Sequence, residues 1–354
     1  MRSLQALSPF RAGRGRPRRS PGRRRTAVLL TTLAALTATA TASPATAAVP
    51  AWPWDPGDGG TDTGGIEVVE ERRVSDRVLD LTVDSPALGF EAHVRLLLPE
   101  GWSRDADRTW PALFLLHGPD EAEYRSWTQY TDVEGFLADK DVITVLPSGG
   151  QAGFYSDWWN FGLGGPGWET FHTEELTGLL EEYRAGEDRA VAGISLGGFG
   201  AMKYAALHDG VFGAAASYSG LLHTTMPGIF TVVTGILVRE GSNPLGLWGD
   251  KWLFRSRWSA NNPYDQAGGL NDVALYVSNG NGLPGPGDPP EQGVDALEIA
   301  TRTTSEAFVA RLDRLGIDVT EHMYRGSLHG WHHWEREFRT SWPVLAKGLG
   351  IPAG

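Results

Sequence analysis

Gly193-Ile194-Ser195-Leu196-Gly197 sets a serine between two glycines in the order G-x-S-x-G. A serine hydroxyl is a weak nucleophile until a neighbouring base takes its proton and nearby N–H groups accept the charge that then forms. The surroundings of Ser195 suit that task. Ala190-Val191-Ala192 is a short apolar run that reads as a buried strand, and residues 196–208, rich in Gly, Ala and Met, read as a tightly packed helix. A strand, a sharp turn and a helix, with Ser at the turn, form a nucleophile elbow. The turn forces the serine backbone into a strained conformation in which neighbouring side chains would collide, and glycine relieves the crowding. The hydroxyl is lifted clear of the sheet, and the next N–H, from Leu196, points at the reacting carbonyl.

The base and its orienting acid must come from elsewhere in the chain, in the order Ser, acid, His. Four of the nine histidines lie near the C-terminus: His322, His329, His332 and His333. His329 follows the last expected strand on a short loop, just before a helix that begins near Gly330-Trp331, which is the position the base requires. His322 falls inside the strand. His332 and His333 fall in the first helical turn, where surface or packing roles are expected. Three His within five positions raise the question of a metal, but neighbouring helix positions point in different directions, so no metal site is expected. The acid should follow the strand at 273–278. Asp288, Glu291, Asp295 and Glu298 all qualify, and position alone does not choose among them.

The elements needed to hold these groups are legible as alternating strands and helices. Strands are expected at 66–70, 78–83, 92–98, 112–116, 142–146, 190–192, 214–219, 273–278 and 319–324. Helices fit 133–140, 173–183, 196–208, 300–315 and 334–347, the last with Pro343 as a kink. Such alternation argues for an α/β fold: a mostly parallel, doubly wound sheet with helices on both faces, of the α/β-hydrolase type. Its site lies at the C-terminal ends of the strands. Residues 221–268 interrupt the rhythm with an apolar stretch, 229–238, and with Trp248, Trp252 and Trp258. Two readings stay open: a helical insertion packed on the core, and a cap over the pocket that contacts an acyl chain.

Composition narrows the setting. Of 354 residues, 41% are hydrophobic and 21% charged, as in an ordinary globular protein. The first 47 residues hold nine Arg and no acid. An Arg run, an apolar stretch from 27 to about 40 and the small-residue site Ala45-Thr46-Ala47 describe a secretory signal peptide (1–47). The apolar stretch is too short and too polar for a stable membrane span. The Sec and twin-arginine export routes both remain open. A Pro/Gly-rich linker covers 48–65, and the enzyme domain runs from 66 to 354. Without the nine arginines, 22 basic and 43 acidic residues remain, a formal charge of −21. So acidic a surface repels nucleic acid, which is excluded as a partner. Cysteine is absent, which excludes thiol catalysis and Cys-ligated metals and leaves stability to a core that about 300 residues can build.

From about 113 to 345 the chain resembles the esterase D / antigen 85 family, which includes secreted mycolyltransferases. The resemblance is carried by Leu115-Leu116-His117-Gly118, Trp127, Leu146-Pro147-Ser148-Gly149-Gly150, Phe154-Tyr155-Ser156-Asp157-Trp158 and Trp168-Glu169-Thr170-Phe171. The elbow with Ser219-Gly220-Leu221, then Leu247-Trp248-Gly249, Asn262-Pro263, Asn279-Gly280-Asn281-Gly282, Leu297-Glu298 and His329-Gly330-Trp331 continue it. The family's acid is a Glu in a segment like Ala296-Leu297-Glu298, so the likeness implies a Ser195, Glu298 and His329 triad, with Asp288 as the rival acid. It also implies His117, Trp127, Trp158 and Trp331 as candidates for the substrate wall. Two departures bear on function. The mycolyltransferases carry, where His117 stands, an Asp that contacts a sugar headgroup. The oxyanion donor that follows would align with Pro119, which has no N–H. A neighbouring amide, Asp120 or Gly118, is expected to serve with Leu196.

Together these readings lead to an exported serine esterase, secreted or held in the cell envelope, that acts on a small-molecule or lipid ester and needs no cofactor. The alternatives are an acyltransferase acting on a sugar or glycerol acceptor, and a non-catalytic envelope-binding protein in which some of the 14 Trp form a carbohydrate face.

Overall fold

The computed structural model describes residues 65–119 and 123–353. The signal peptide, nearly all of the linker and Asp120 lie outside the described residues. Nine strands among them form one sheet: β1 (Glu67–Arg73), β2 (Val78–Ser85), β3 (Phe90–Leu97), β4 (Trp110–Leu116), β5 (Ile143–Pro147), β6 (Ala185–Ile194), β7 (Ala214–Tyr218), β8 (Ala274–Asn279) and β9 (Thr320–Met323). Their order is β1-β2-β3-β5-β4-β6-β7-β8-β9. β1, β2 and β3 pair antiparallel and β3 meets β5 antiparallel, while every pair from β5 to β9 is parallel. The split follows from the connections. Short turns join the first three strands, and the later strands are joined by crossovers that carry helices over the sheet faces.

The parallel strands read as continuous apolar runs because both of their faces are covered. Along β4, Ala112, Phe114 and Leu116 enter one core, and Leu113 and Leu115 the other. The first core is closed by α1 (Leu196–Leu207) and α3 (Ala296–Leu315), through Phe199, Met202, Phe308 and Leu312. The second is closed by α4 (Trp331–Gly348), through Trp334, Phe338 and Trp342. The insertion contributes α2 (Ile229–Arg239) and three shorter helices. Its Val233, Leu237, Leu247, Trp248 and Trp258 join the first core, so it packs on the body of the fold. Trp252 and Leu253 stay exposed at 78% and 81%.

Several boundaries differ from the sequence reading. β6 starts five residues early, at Ala185, because Glu187 and Asp188 point to solvent at its polar end. The helix expected at 173–183 is broken into a π turn at Phe171–Glu175, a short α turn and a 3-10 turn, and the one expected at 133–140 spans only Val133–Phe136. α3 begins at Ala296, four residues early, because Asp295 caps it: its side chain accepts from the Leu297 and Glu298 N–H groups. That early start puts Glu298 in the first turn. Pro343 lies inside α4 without ending it.

Candidate active site

Ser195 sits between β6 and α1 with φ 52° and ψ −117°, a conformation costly for any residue with a side chain. The surroundings over-determine it. The Ser195 N–H donates to Tyr218 O at 2.9 Å, and Ser195 O accepts from the Phe199 N–H at 3.1 Å. The two flanking glycines are steric necessities. A Cβ on Gly193 would collide with the Gly197 backbone and lie 2.8 Å from the Gly198 nitrogen; one on Gly197 would collide with Leu116 O and lie 2.8 Å from His117 O. Leu196 opens α1, so its N–H is among those no intrahelical carbonyl can satisfy, and the positive end of the helix dipole lies there.

Glu298 and His329 are brought into direct contact. Nδ1 of His329 lies 2.6 Å from Glu298 Oε2. A carboxylate only accepts, so the imidazole proton sits on Nδ1 and the lone pair on Nε2. Nε2 is buried and has no hydrogen-bond partner among the described residues. Glu298 is fully buried, and its other oxygen accepts from Ser219 Oγ (2.9 Å), Asn279 Nδ2 (2.8 Å) and Gly280 N–H (2.7 Å). Four donors thus compensate a buried charge.

Two residues that the sequence did not single out for this role complete the frame. Asp295 was one of four possible acids. Here Oδ1 caps α3, while Oδ2 accepts from the His329 N–H at 3.0 Å. One side chain thereby ties the His329 backbone to the helix that carries Glu298. Trp334 sets its ring edge-to-face with His329 (centroids 4.8 Å, 86°), and its Nε1–H donates to Ser219 Oγ at 3.1 Å. The helical spacing from Trp331 to Trp334 is the only sequence signal that could have found it.

The other nominated acids go elsewhere. Glu291 is exposed. Asp288 accepts from His333 Nε2 at 2.9 Å and from the Gly285 and Leu328 N–H groups at 3.0 and 3.2 Å, and His332 Nε2 is 3.3 Å away. Burial alone would raise this carboxyl, but the bonds from His333 and Gly285 hold it below the usual carboxylate range. His332 and His333 therefore do not diverge as expected from their spacing; both turn to Asp288. His322 pairs with Glu337 at 2.8 Å.

Of the four residues nominated for the substrate wall, two lie in the interior. His117 is buried, 1% exposed: Nε2 accepts from the Gly149 N–H at 2.9 Å and Nδ1 lies 2.6 Å from Gly118 O. It braces the loop after β4 and does not line a surface. Trp127 is also interior. It donates to Leu116 O and packs on Tyr218 and Phe338. Trp158 is half-buried and bonded to Gly153 O, with its ring under Gly246 of the insertion. Trp331 is half-buried between Tyr130 and Trp334. Gly118 does reach the nucleophile, since a Cβ there would lie 3.2 Å from Ser195 Cβ. Behind the elbow, the fully buried Lys203 of α1 donates to Tyr155 O (3.0 Å), Ser156 Oγ (2.9 Å) and Glu169 Oε2 (2.6 Å). Tyr155 in turn donates to His117 O at 2.7 Å. His172 sits beside them, bridging Tyr204 OH and Ser148 O, and burial pushes its imidazole down to about 3.

A mostly parallel sheet, an elbow serine after β6 and a His–Glu pair after β9 and β8 define an α/β-hydrolase fold. The "Putative esterase" family model matches residues 85–344, and the chain belongs to that esterase family, which takes in the antigen 85 proteins. It is 30% identical to the esterase Rv1288 of Mycobacterium tuberculosis over 283 residues, 76% of this chain but only 59% of that protein. It is also 30% identical to the diacylglycerol acyltransferase/mycolyltransferase Ag85B of Mycolicibacterium smegmatis, covering 76% of this chain and 85% of that one. Among solved structures, Mycobacterium tuberculosis MPT51 (FbpC1) superposes with a TM-score of 0.62 at 25% identity, covering 76% and 97%. The Rv1288 and Ag85B relatives are named as an esterase and an acyltransferase, and the chain spans about three fifths of the length of the first of them. No helix among the described residues is long and apolar enough to cross a membrane.

Proposed function

We propose that the protein is an exported serine esterase in which Ser195 attacks the ester carbonyl carbon, His329 is the base and Glu298 orients it. The observation that carries this reading is the 2.6 Å contact between Glu298 and His329 Nδ1, which leaves a buried, unpartnered Nε2 to take the serine proton. As the Oγ–carbon bond forms, that proton moves to Nε2 and negative charge collects on the carbonyl oxygen. The Leu196 N–H is one donor for that oxyanion, and an amide of the 118–120 segment is the second. Each such donor is worth about 10²–10³ in rate. Collapse of the tetrahedral species expels the alcohol, which takes the proton from His329. Water, activated by the same imidazole, then releases the acid from the acyl-enzyme.

Hydrolysis is preferred over transfer to a sugar because His117 stands where the mycolyltransferases place a sugar-contacting Asp, and its ring is committed to the loop backbone. The 1–47 segment supports export. The experiment is a p-nitrophenyl ester series of rising chain length, with and without trehalose, on the parent and on Ser195→Ala. Loss of about 10⁴–10⁶ in turnover in a folded Ser195→Ala protein is expected. Retained hydrolysis would sink the assignment of the nucleophile. Acylated trehalose in excess of free acid would replace hydrolysis by the transferase reading.

A further inference from the structure

We propose that Asp288, His332 and His333 form a binding site for a divalent transition-metal ion of the zinc type. The three side chains offer ligand atoms that all lie within 4.8 Å of one another. Asp288 Oδ1 is 3.3 Å from His332 Nε2 and 2.9 Å from His333 Nε2. A tetrahedral ion with bonds of about 2.0–2.1 Å to N and O separates its ligand atoms by about 3.3 Å; the two Asp288 pairs are already close to that, and the two imidazole nitrogens, within 4.8 Å, close on the ion by a turn of the exposed His332 ring.

The convergence itself needs an explanation. Consecutive residues on a helix normally diverge, yet the two imidazoles face each other with centroids 3.7 Å apart. A carboxylate partner for His333 would not require the second ring. Asp288 is also pre-oriented in the way a ligand is. Oδ2 is held by the Gly285 and Leu328 N–H groups and shares His333 Nε2 with Oδ1 (3.0 and 2.9 Å), while Oδ1 also faces His332. His333 is 1% exposed and fixes the inner side; His332, with its side chain 45% exposed, gives the ion entry and leaves room for water ligands. Two imidazoles and a carboxylate suit Zn²⁺, Ni²⁺ or Cu²⁺ and are a poor set for Mg²⁺ or Ca²⁺. None of the three residues belongs to the Ser195, Glu298 and His329 group. The ion would join the 285–288 loop to the first turn of α4 and, through the Leu328 amide, brace the residue next to His329. Its role is a structural clamp, and ester cleavage does not run through it.

The test uses tag-free protein of the full exported chain, stripped with a chelator and titrated with ZnCl₂ by calorimetry, with thermal unfolding in parallel. One ion per chain with a micromolar or tighter Kd, and a Tm raised by several degrees, is expected. His332→Gln, at an exposed position, should keep the metal-free Tm and ester turnover but weaken zinc binding at least tenfold, and Asp288→Asn should do the same to binding. If His333→Gln fails to fold, His332→Gln still decides. Absence of saturable one-to-one binding, or equal zinc affinity in His332→Gln and the parent, overturns the proposal.

Discussion

Replacing Glu298 by Gln changes one atom and reverses one hydrogen bond, which makes it a demanding test of the site. Oε1 of Glu298 accepts from Ser219, Asn279 and the Gly280 N–H. The Asn279 amide and the Gly280 N–H can only donate at those contacts, so the glutamine carbonyl oxygen must take that side. Its NH₂ group then faces His329 Nδ1 across 2.6 Å. Nδ1 must become the acceptor, the proton moves to Nε2, and the ring can no longer take the serine proton. The corresponding amide-for-carboxylate change in a serine protease triad costs about 10⁴ in kcat through the same wrong tautomer. Because three of the four donors keep their acceptor, stability should fall by only about 1–2 kcal/mol. Glu298→Gln should therefore lose about 10³–10⁴ in kcat for p-nitrophenyl butyrate while unfolding within a few degrees of the parent. Asp288→Asn should stay within about threefold in kcat. A Glu298→Gln enzyme within tenfold of the parent, or a deeper loss in Asp288→Asn, would refute the reasoning.

Asp295→Ala removes both a helix cap and the acceptor for the His329 N–H, so about 2–3 kcal/mol of stability should go, together with a fall in kcat, measured by urea unfolding and ester turnover; Asp295→Asn should recover most of the cap. Gly197→Ala must push its Cβ into Leu116 O and should yield insoluble or inactive protein, checked by expression and circular dichroism. Lys203→Met leaves the Glu169 carboxylate facing only His208 and should cost about 3–5 kcal/mol by denaturant unfolding. His172 is held neutral in the fold down to about 3, against an ordinary imidazole value near 6.5. Its native pKa is depressed, so the unfolded chain takes up the proton first. The stability it contributes is whole above about pH 6.5 and is lost as pH falls towards 3, by about 2 kcal/mol at pH 5. His172→Gln should flatten that acid limb in Tm-against-pH scans, and an unchanged slope would remove His172 as its source.

How much of this was legible depended on whether the deciding contact was local. The elbow was readable because its steric demands fall on positions two residues away, Gly193 and Gly197. β4, β5, β7 and β8 announced themselves as unbroken apolar runs because both of their faces are covered. The loop position of His329 was legible by counting from the last strand. Its partner was left open by position, since four carboxylates follow β8; only the fold separates Glu298, buried beside His329, from Asp288, turned to His333, and from Asp295, spent on a cap. The aromatics misled for a related reason. Trp127 and His117 sit in motifs near the site, yet they support its walls from within, and sequence does not distinguish the inner side of a wall from the outer. The polar start of β6 and the π turn at Phe171–Glu175 carry no periodic signal at all.

The double attachment of Asp295 governs where this fold can take insertions. Glu298 and His329 are spaced by a strap at their own end of the sheet, formed by the cap of α3 and the bond to the His329 backbone, and not by the length of chain between them. The turn from α3 into β9, around Gly316, lies at the opposite end and bears on neither. That turn is accordingly the place where evolution or an engineer can graft a loop or a whole module. The spacing of Glu298 and His329 would be inherited unchanged as long as Asp295 keeps both of its bonds.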